Sequence, residues 1–147
     1  MLLGAVTDAS MRERIRKRLR EYRAGALDGI GIAVNRTKSK FSGLGRTNSH
    51  DWYRAINKDN EAGFAEYMDQ SVKFIRQVAP GSAAEYVDEL YDGGQKLKRE
   101  IMAKTDHVAA SGNAIAIQLR NELEAALDEL IERKVEDFEI GFVEGKI

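Results

Sequence analysis

The stretch SAAEYVDELYDGGQKLKREIMAKTDHVAASGNAIAIQLRNELEAALDELIERK, residues 82–134, decides the fold. Within it Val87, Leu90, Gly94, Leu97, Ile101, Thr105, Val108, Gly112, Ile115, Leu119, Leu123, Ala126 and Leu130 follow one another at steps of three or four. Those 12 steps cover 43 residues, about 3.6 residues per step, the period of one face of an α-helix. Pro80-Gly81 stops whatever precedes, and Ser82 with Glu85 has the S-x-x-E spacing of a capping box.

Two glycine sites interrupt the stripe, Gly93-Gly94 and Ser111-Gly112-Asn113. A helix-interior glycine costs roughly 1 kcal/mol against alanine, so each site is a candidate break. The phase of the stripe nevertheless continues across both. Either one long helix uses its glycines to let a neighbour approach, or two or three shorter helices fold back on each other. An unbroken helix over 83–134 would be about 78 Å long, against about 30 Å for a small domain. The reading adopted is a long helix over 82–137 with a break near Gly112 and a kink near Gly93-Gly94. Its apolar face demands cover, and Leu90, Leu97, Ile101, Ile115, Leu119, Leu123 and Leu130 are the candidate contacts between copies of the chain.

Working back towards the start, Ser10 and Glu13 form a second capping-box pattern. It predicts a basic helix over 10–34 with Met11, Ile15, Leu19, Tyr22, Ala26, Ile30 and Ala33 on one face. The other faces hold Arg12, Arg14, Arg16, Lys17, Arg18, Arg20 and Arg23. Residues 35–50 are polar, basic and rich in Gly and Ser, and read as a loop or arm anchored by Phe41 and Leu44. Helices are expected over 51–79: a short one capped by Asn48 or Ser49, then one capped by Asp59 with Phe64, Tyr67, Met68, Val72, Ile75 and Val78 inward. Residues 138–147 alternate apolar and polar at Phe138, Ile140 and Phe142, the pattern of a strand or extended tail. A small β pairing of 30–35 with 138–143 is one way to use it. The fold class is therefore mainly α, one helical bundle over 1–147 with long amphipathic helices, a basic arm and a C-terminal tail.

Composition narrows the chemistry. The chain has 147 residues, 43% hydrophobic and 32% charged, with no cysteine. Disulfides, thiolate metal sites and cysteine nucleophiles are excluded together. The apolar start, Met1 to Val6, is too short for a signal peptide, and no run approaches a membrane span. A soluble cytoplasmic product, or a virion component if viral, is expected, with no membrane partner. The net charge of −1 hides a division: residues 1–58 carry 13 Lys/Arg against 5 Asp/Glu, and residues 59–147 carry 10 against 19. Such asymmetry points to an electrostatic partner for each half, or to the halves facing each other.

Catalytic and ligand motifs do not stand up. His50 and His107, the only histidines, have acidic neighbours at Asp51 and Asp106 but no ligand spacing. Gly43-x-Gly45 lacks the rest of a phosphate loop. No Ser/His/Asp order departs from chance. Glu122, Glu124, Asp128, Glu129, Glu132, Glu136 and Asp137 read as the polar faces of an amphipathic helix. No cofactor and no metal are called for.

What remains is charge. Arg12, Arg16, Lys17, Arg20 and Arg23 with Lys38, Lys40 and Arg46 are candidate contacts to a nucleic acid or to an acidic protein surface. The first expectation is a non-enzymatic structural protein that assembles with itself, because opposite charges on opposite halves suit a head-to-tail contact. This general layout resembles small helical components of phage virions, such as head–tail adaptor or connector proteins, a likeness of architecture that covers no motif. It implies a ring-forming virion role, with other structural proteins as partners. The alternative is a nucleic-acid-binding module built on the basic helix. An enzyme ranks third and would need a closed cleft around Glu129 or His107.

Overall fold

A computed structural model describes residues 8–109 and 111–141, and these form a helical bundle. Helix α1 is Asp8–Gly43, α2 is His50–Val78, α3 is Val87–Ala103, α4 is the single turn Asp106–Ala109, and α5 is Ala114–Glu139. A 3-10 turn, Ala83–Tyr86, leads into α3. No strand occurs among the described residues.

Helix α2 touches α3, and each of the two also packs on both α1 and α5. Helices α1 and α5 therefore occupy opposite corners. The core between the four is continuous: Ile15 and Leu19 of α1, Phe64, Tyr67, Met68 and Ile75 of α2, Leu90, Leu97 and Ile101 of α3, Leu123, Leu127 and Ile131 of α5. Each such side chain, fully buried, contributes about 1.5–3 kcal/mol of transfer free energy.

The stripe is real but its owner is not a second copy. Leu90, Leu97, Ile101, Leu119 and Leu123 are at most 2% exposed within one chain, and Leu130 is half-buried. They are the core, so they are not free to form a contact between copies as expected. Ile115 alone of that set is exposed, at 43%. Its position follows from the break at Gly112, whose φ of +73° suits glycine. Asn113 then caps α5, its side chain accepting from Ala116 N at 3.1 Å. Beyond the break the inward face of α5 keeps Leu119 and Leu123 of the stripe and then runs through Leu127, Ile131 and Phe138 in place of Ala126 and Leu130.

Helix α3 runs without a break through Gly93-Gly94, both buried inside it. A Cβ at Gly93 would lie 2.3 Å from the Tyr67 hydroxyl oxygen, and one at Gly94 3.2 Å from both Ile131 and Met68. The pair lets α2 and α5 approach α3 closely, and packing outweighs the helix propensity it costs.

Other boundaries also move. Helix α1 is already running at Asp8, so Ser10 is not its cap. It continues to Gly43, and the expected arm over 35–50 shrinks to residues 44–49. The stretch is polar yet tied down: Ile30 is buried against Gly63, and Thr37 donates to the Asp59 carboxylate at 2.5 Å. Asp59 is thus an interior residue of α2, not a cap, and 51–79 is one helix rather than two. Ser49 is the cap, accepting from Trp52 N at 3.1 Å, while Asn48 takes the turn's left-handed conformation. Ser82 makes no side-chain cap bond, so the Ser82/Glu85 box does not form. Arg12 instead donates to the Glu85 carbonyl at 3.1 Å and lies over the Tyr86 ring. The β pairing is absent: 30–35 lies within α1, and Phe138, 3% exposed, extends the helical period of α5. Phe142 and the rest of the expected tail lie outside the described residues.

Candidate functional site

The division of charge seen along the chain becomes a division in space. Helix α1 holds ten Lys/Arg against four Asp/Glu, and α5 holds three against eight. Because these helices stand at opposite corners, the basic face of α1 does not meet the acidic face of α5 within one copy. The acidic partner that α1 does find is Glu89 of α3.

Glu89 has a side chain only 4% exposed, and Arg12 and Arg16 both reach it. Arg12 donates from Nη1 to one carboxylate oxygen, and Arg16 Nη2 donates to the other at 3.3 Å. A carboxylate this deep requires such cations, since an uncompensated buried charge is strongly destabilising. Arg12 also donates to Asp8 at 2.9 Å. That bond holds the exposed Asp8 carboxyl below its ordinary range. Its folded-state pKa is depressed, so the favourable term is present above the ordinary carboxylate pKa and lost as pH falls through the lowered one.

Taken in turn, the expected cation set divides. Arg12 and Arg16 serve the fold through Glu89. Arg23 is half-buried near Gly93 and Tyr67, whose phenol burial pushes above its usual pKa. Arg46 pairs with Asp51 at 2.9 Å inside the α1–α2 turn. Lys38 lies 5.9 Å from the centroid of the Trp52 ring. Lys17, Arg20 and Lys40 are exposed and form no ion pair with any described residue. Arg14 shares that state and extends the outward face, as the helical steps 14, 17 and 20 require. The face of α1 whose cations form no ion pair with a described residue is therefore narrower than its seven early cations suggest.

The opposite corner has its own stripe. Glu122, Glu129, Glu132, Glu136 and Glu139 follow at steps of seven, three, four and three along α5, and all are exposed. The α5 carboxylates nearer α3 are compensated: Lys98 reaches Asp128 at 2.6 Å and lies 4.0 Å from Glu124. Beside the stripe a groove between α3 and α5 is lined by Tyr91, Gln95, Val135, Glu132, Glu136 and Glu139 among others. Tyr91, 47% exposed, is its apolar lip. The sequence reading passed over Tyr91 and Glu89. Both sit next to Leu90, and their signal was an aromatic and a carboxylate flanking the core position.

Among the described residues no group of three or more His, Asp or Glu is placed to hold a metal ion. His50 is half-buried at the first position of α2, and the His107 side chain lies outside what the structure describes. No described helix is long and apolar enough to cross a membrane. Comparison with known protein families, with curated proteins and with solved structures finds no match.

Proposed function

We propose that this is a non-enzymatic assembly protein that associates with copies of itself head to tail, the basic corner of one copy lying on the acidic corner of the next. One observation carries the reading: Arg14, Lys17 and Arg20 on α1 and Glu129, Glu132, Glu136 and Glu139 on α5 stand at opposite corners and are exposed, with no ion pair to another described residue. Tyr91 supplies an aromatic anchor beside the acidic stripe, the residue type that interface cores favour. A contact between two different surfaces closes into a ring or runs on as a filament. A ring is the form that the virion adaptor or connector role would take.

Charge complementarity of this kind sets encounter rate and register. The test is sedimentation velocity at about 50 mM and about 500 mM salt, since screening lengths shrink between them. Association at low salt and its loss at high salt is the expected result. Lys17→Glu/Arg20→Glu and Glu132→Lys/Glu136→Lys should each give monomers, and mixing the two variants should restore association. A wild-type monomer at tens of micromolar in the low-salt buffer ends the proposal.

The nucleic-acid alternative rests on the same exposed cations of α1. It predicts binding to DNA or RNA whose salt slope falls by about one for each phosphate contact removed at Lys17 or Arg20. Reversing the α5 carboxylates would leave that slope unchanged, which separates the two readings.

A further inference from the structure

The end of the bundle away from Glu89 is open. There the second half of α1, the first half of α2, the end of α3 and the start of α5 surround a cleft of about 540 Å³. That size lies within the range of small-molecule sites. Apolar walls come from Val34 of α1, Trp52 and Ile56 of α2, Val108 of α4 and Leu119 of α5.

Among the described residues, the charged ones lining it are all of one sign: Lys38, Lys104 and Arg120 line the cleft and no carboxylate does, in a chain with 24 acidic residues against 23 basic. Arg120 is held in place, its Nε donating to the Thr105 hydroxyl at 2.9 Å. Lys38 stands over the Trp52 ring. Among the described residues Arg120 has a counter-charge in Asp106, at 3.3 Å and outside the lining, whereas Lys38 and Lys104 form no ion pair. Apolar walls also strengthen the attraction of these cations for an entering charge, because the local dielectric is below that of water.

We propose that this cleft is a binding site for a small amphipathic anion, a molecule with an apolar body and one carboxylate-type head group. The body lies against Trp52, Ile56 and Val34, and the head meets Lys38, Lys104 and Arg120. A cation of the same shape meets three like charges, and a neutral isostere leaves Lys38 and Lys104 without a counter-ion. None of the exposed cations of α1 or carboxylates of α5 invoked for assembly lines this cleft, so the two proposals succeed or fail separately.

The full chain carries its own reporter, since Trp52 is the only tryptophan. Decanoate, decanol and decylamine would be titrated below their aggregation limits, following Trp52 emission and, independently, heat by calorimetry. Decanoate should bind saturably and about tenfold or more tighter than either isostere, a difference of about 1.4 kcal/mol. Lys38 and Lys104 are exposed, so Lys38→Gln/Lys104→Gln leaves the fold intact by circular dichroism. That variant should bring decanoate close to decanol without weakening decanol. Equal binding of decanoate and decylamine, an unchanged decanoate preference in the variant, or no saturable heat from any of the three overturns the proposal.

Discussion

Helix α1 contains two kinds of surface, and the contrast between them explains how this chain uses glycine and charge. On one side, towards α3, Leu19, Arg12 and Arg16 press on Glu89 and on the turn holding Gly93. On the other, Gly25 and Gly29 look into a groove between α1 and α2, and a Cβ at either would meet nothing within 4 Å. Glycine weakens a helix by a similar amount in both places. At Gly93 the loss is offset by an approach no larger residue permits. At Gly25 and Gly29 no such contact exists within one copy.

The largest effect should come from stranding the charge on the closed side. Arg12→Ala/Arg16→Ala leaves the Glu89 carboxylate buried and unpaired, and should destabilise by about 3 kcal/mol. Glu89→Gln, which strands only the two arginines that still reach solvent, should cost clearly less. Equal losses in denaturant titration would show that the depth of Glu89 does not govern the contact.

Next comes the close approach itself. Gly93→Ala forces a methyl into the Tyr67 hydroxyl and should cost about 2 kcal/mol, at the scale of overpacking in a filled core. The hydroxyl is buried without a geometric hydrogen-bond partner, although Arg23 lies nearby. Tyr67→Phe removes the obstructing atom and should recover about half of that loss in a double-mutant cycle. Additive effects would place the strain elsewhere.

The smallest change, and of opposite sign, belongs to the open side. Gly29→Ala should stabilise by about 0.4–1 kcal/mol, by narrowing the unfolded ensemble and favouring helix. A loss of stability there would mean that the α1–α2 groove is tighter than the free space around Gly29 indicates.

Legibility follows the same contrast. Helical periods, a cap at Asn48 or Ser49, the stop at Pro80 and the break at Gly112 were readable, because each depends on a few neighbouring side chains. Ser10, Asp59 and Ser82 carry the same local chemistry as Ser49, yet Ser10 and Asp59 lie inside helices, and Ser82 precedes its 3-10 turn without a side-chain cap bond. Their neighbours in space settled the matter: Thr37 engages Asp59, and Arg12 takes the backbone of Glu85. The exposed charges of the candidate assembly site were visible as composition. Their separation to opposite corners was not, since helical spacing states which way a side chain faces on its own helix and says nothing of the neighbour.

The order of residues alone determined a mainly helical chain without thiol chemistry, basic early and acidic late, with one greasy face on each long helix. Tertiary structure decided that those faces satisfy one another inside a single copy, that Gly93 and Gly94 are contact points rather than hinges, and that the acidic and basic helices stand apart. The physical reason is range: periodicity and capping act within a turn or two, whereas burial and charge pairing are settled only when distant segments meet.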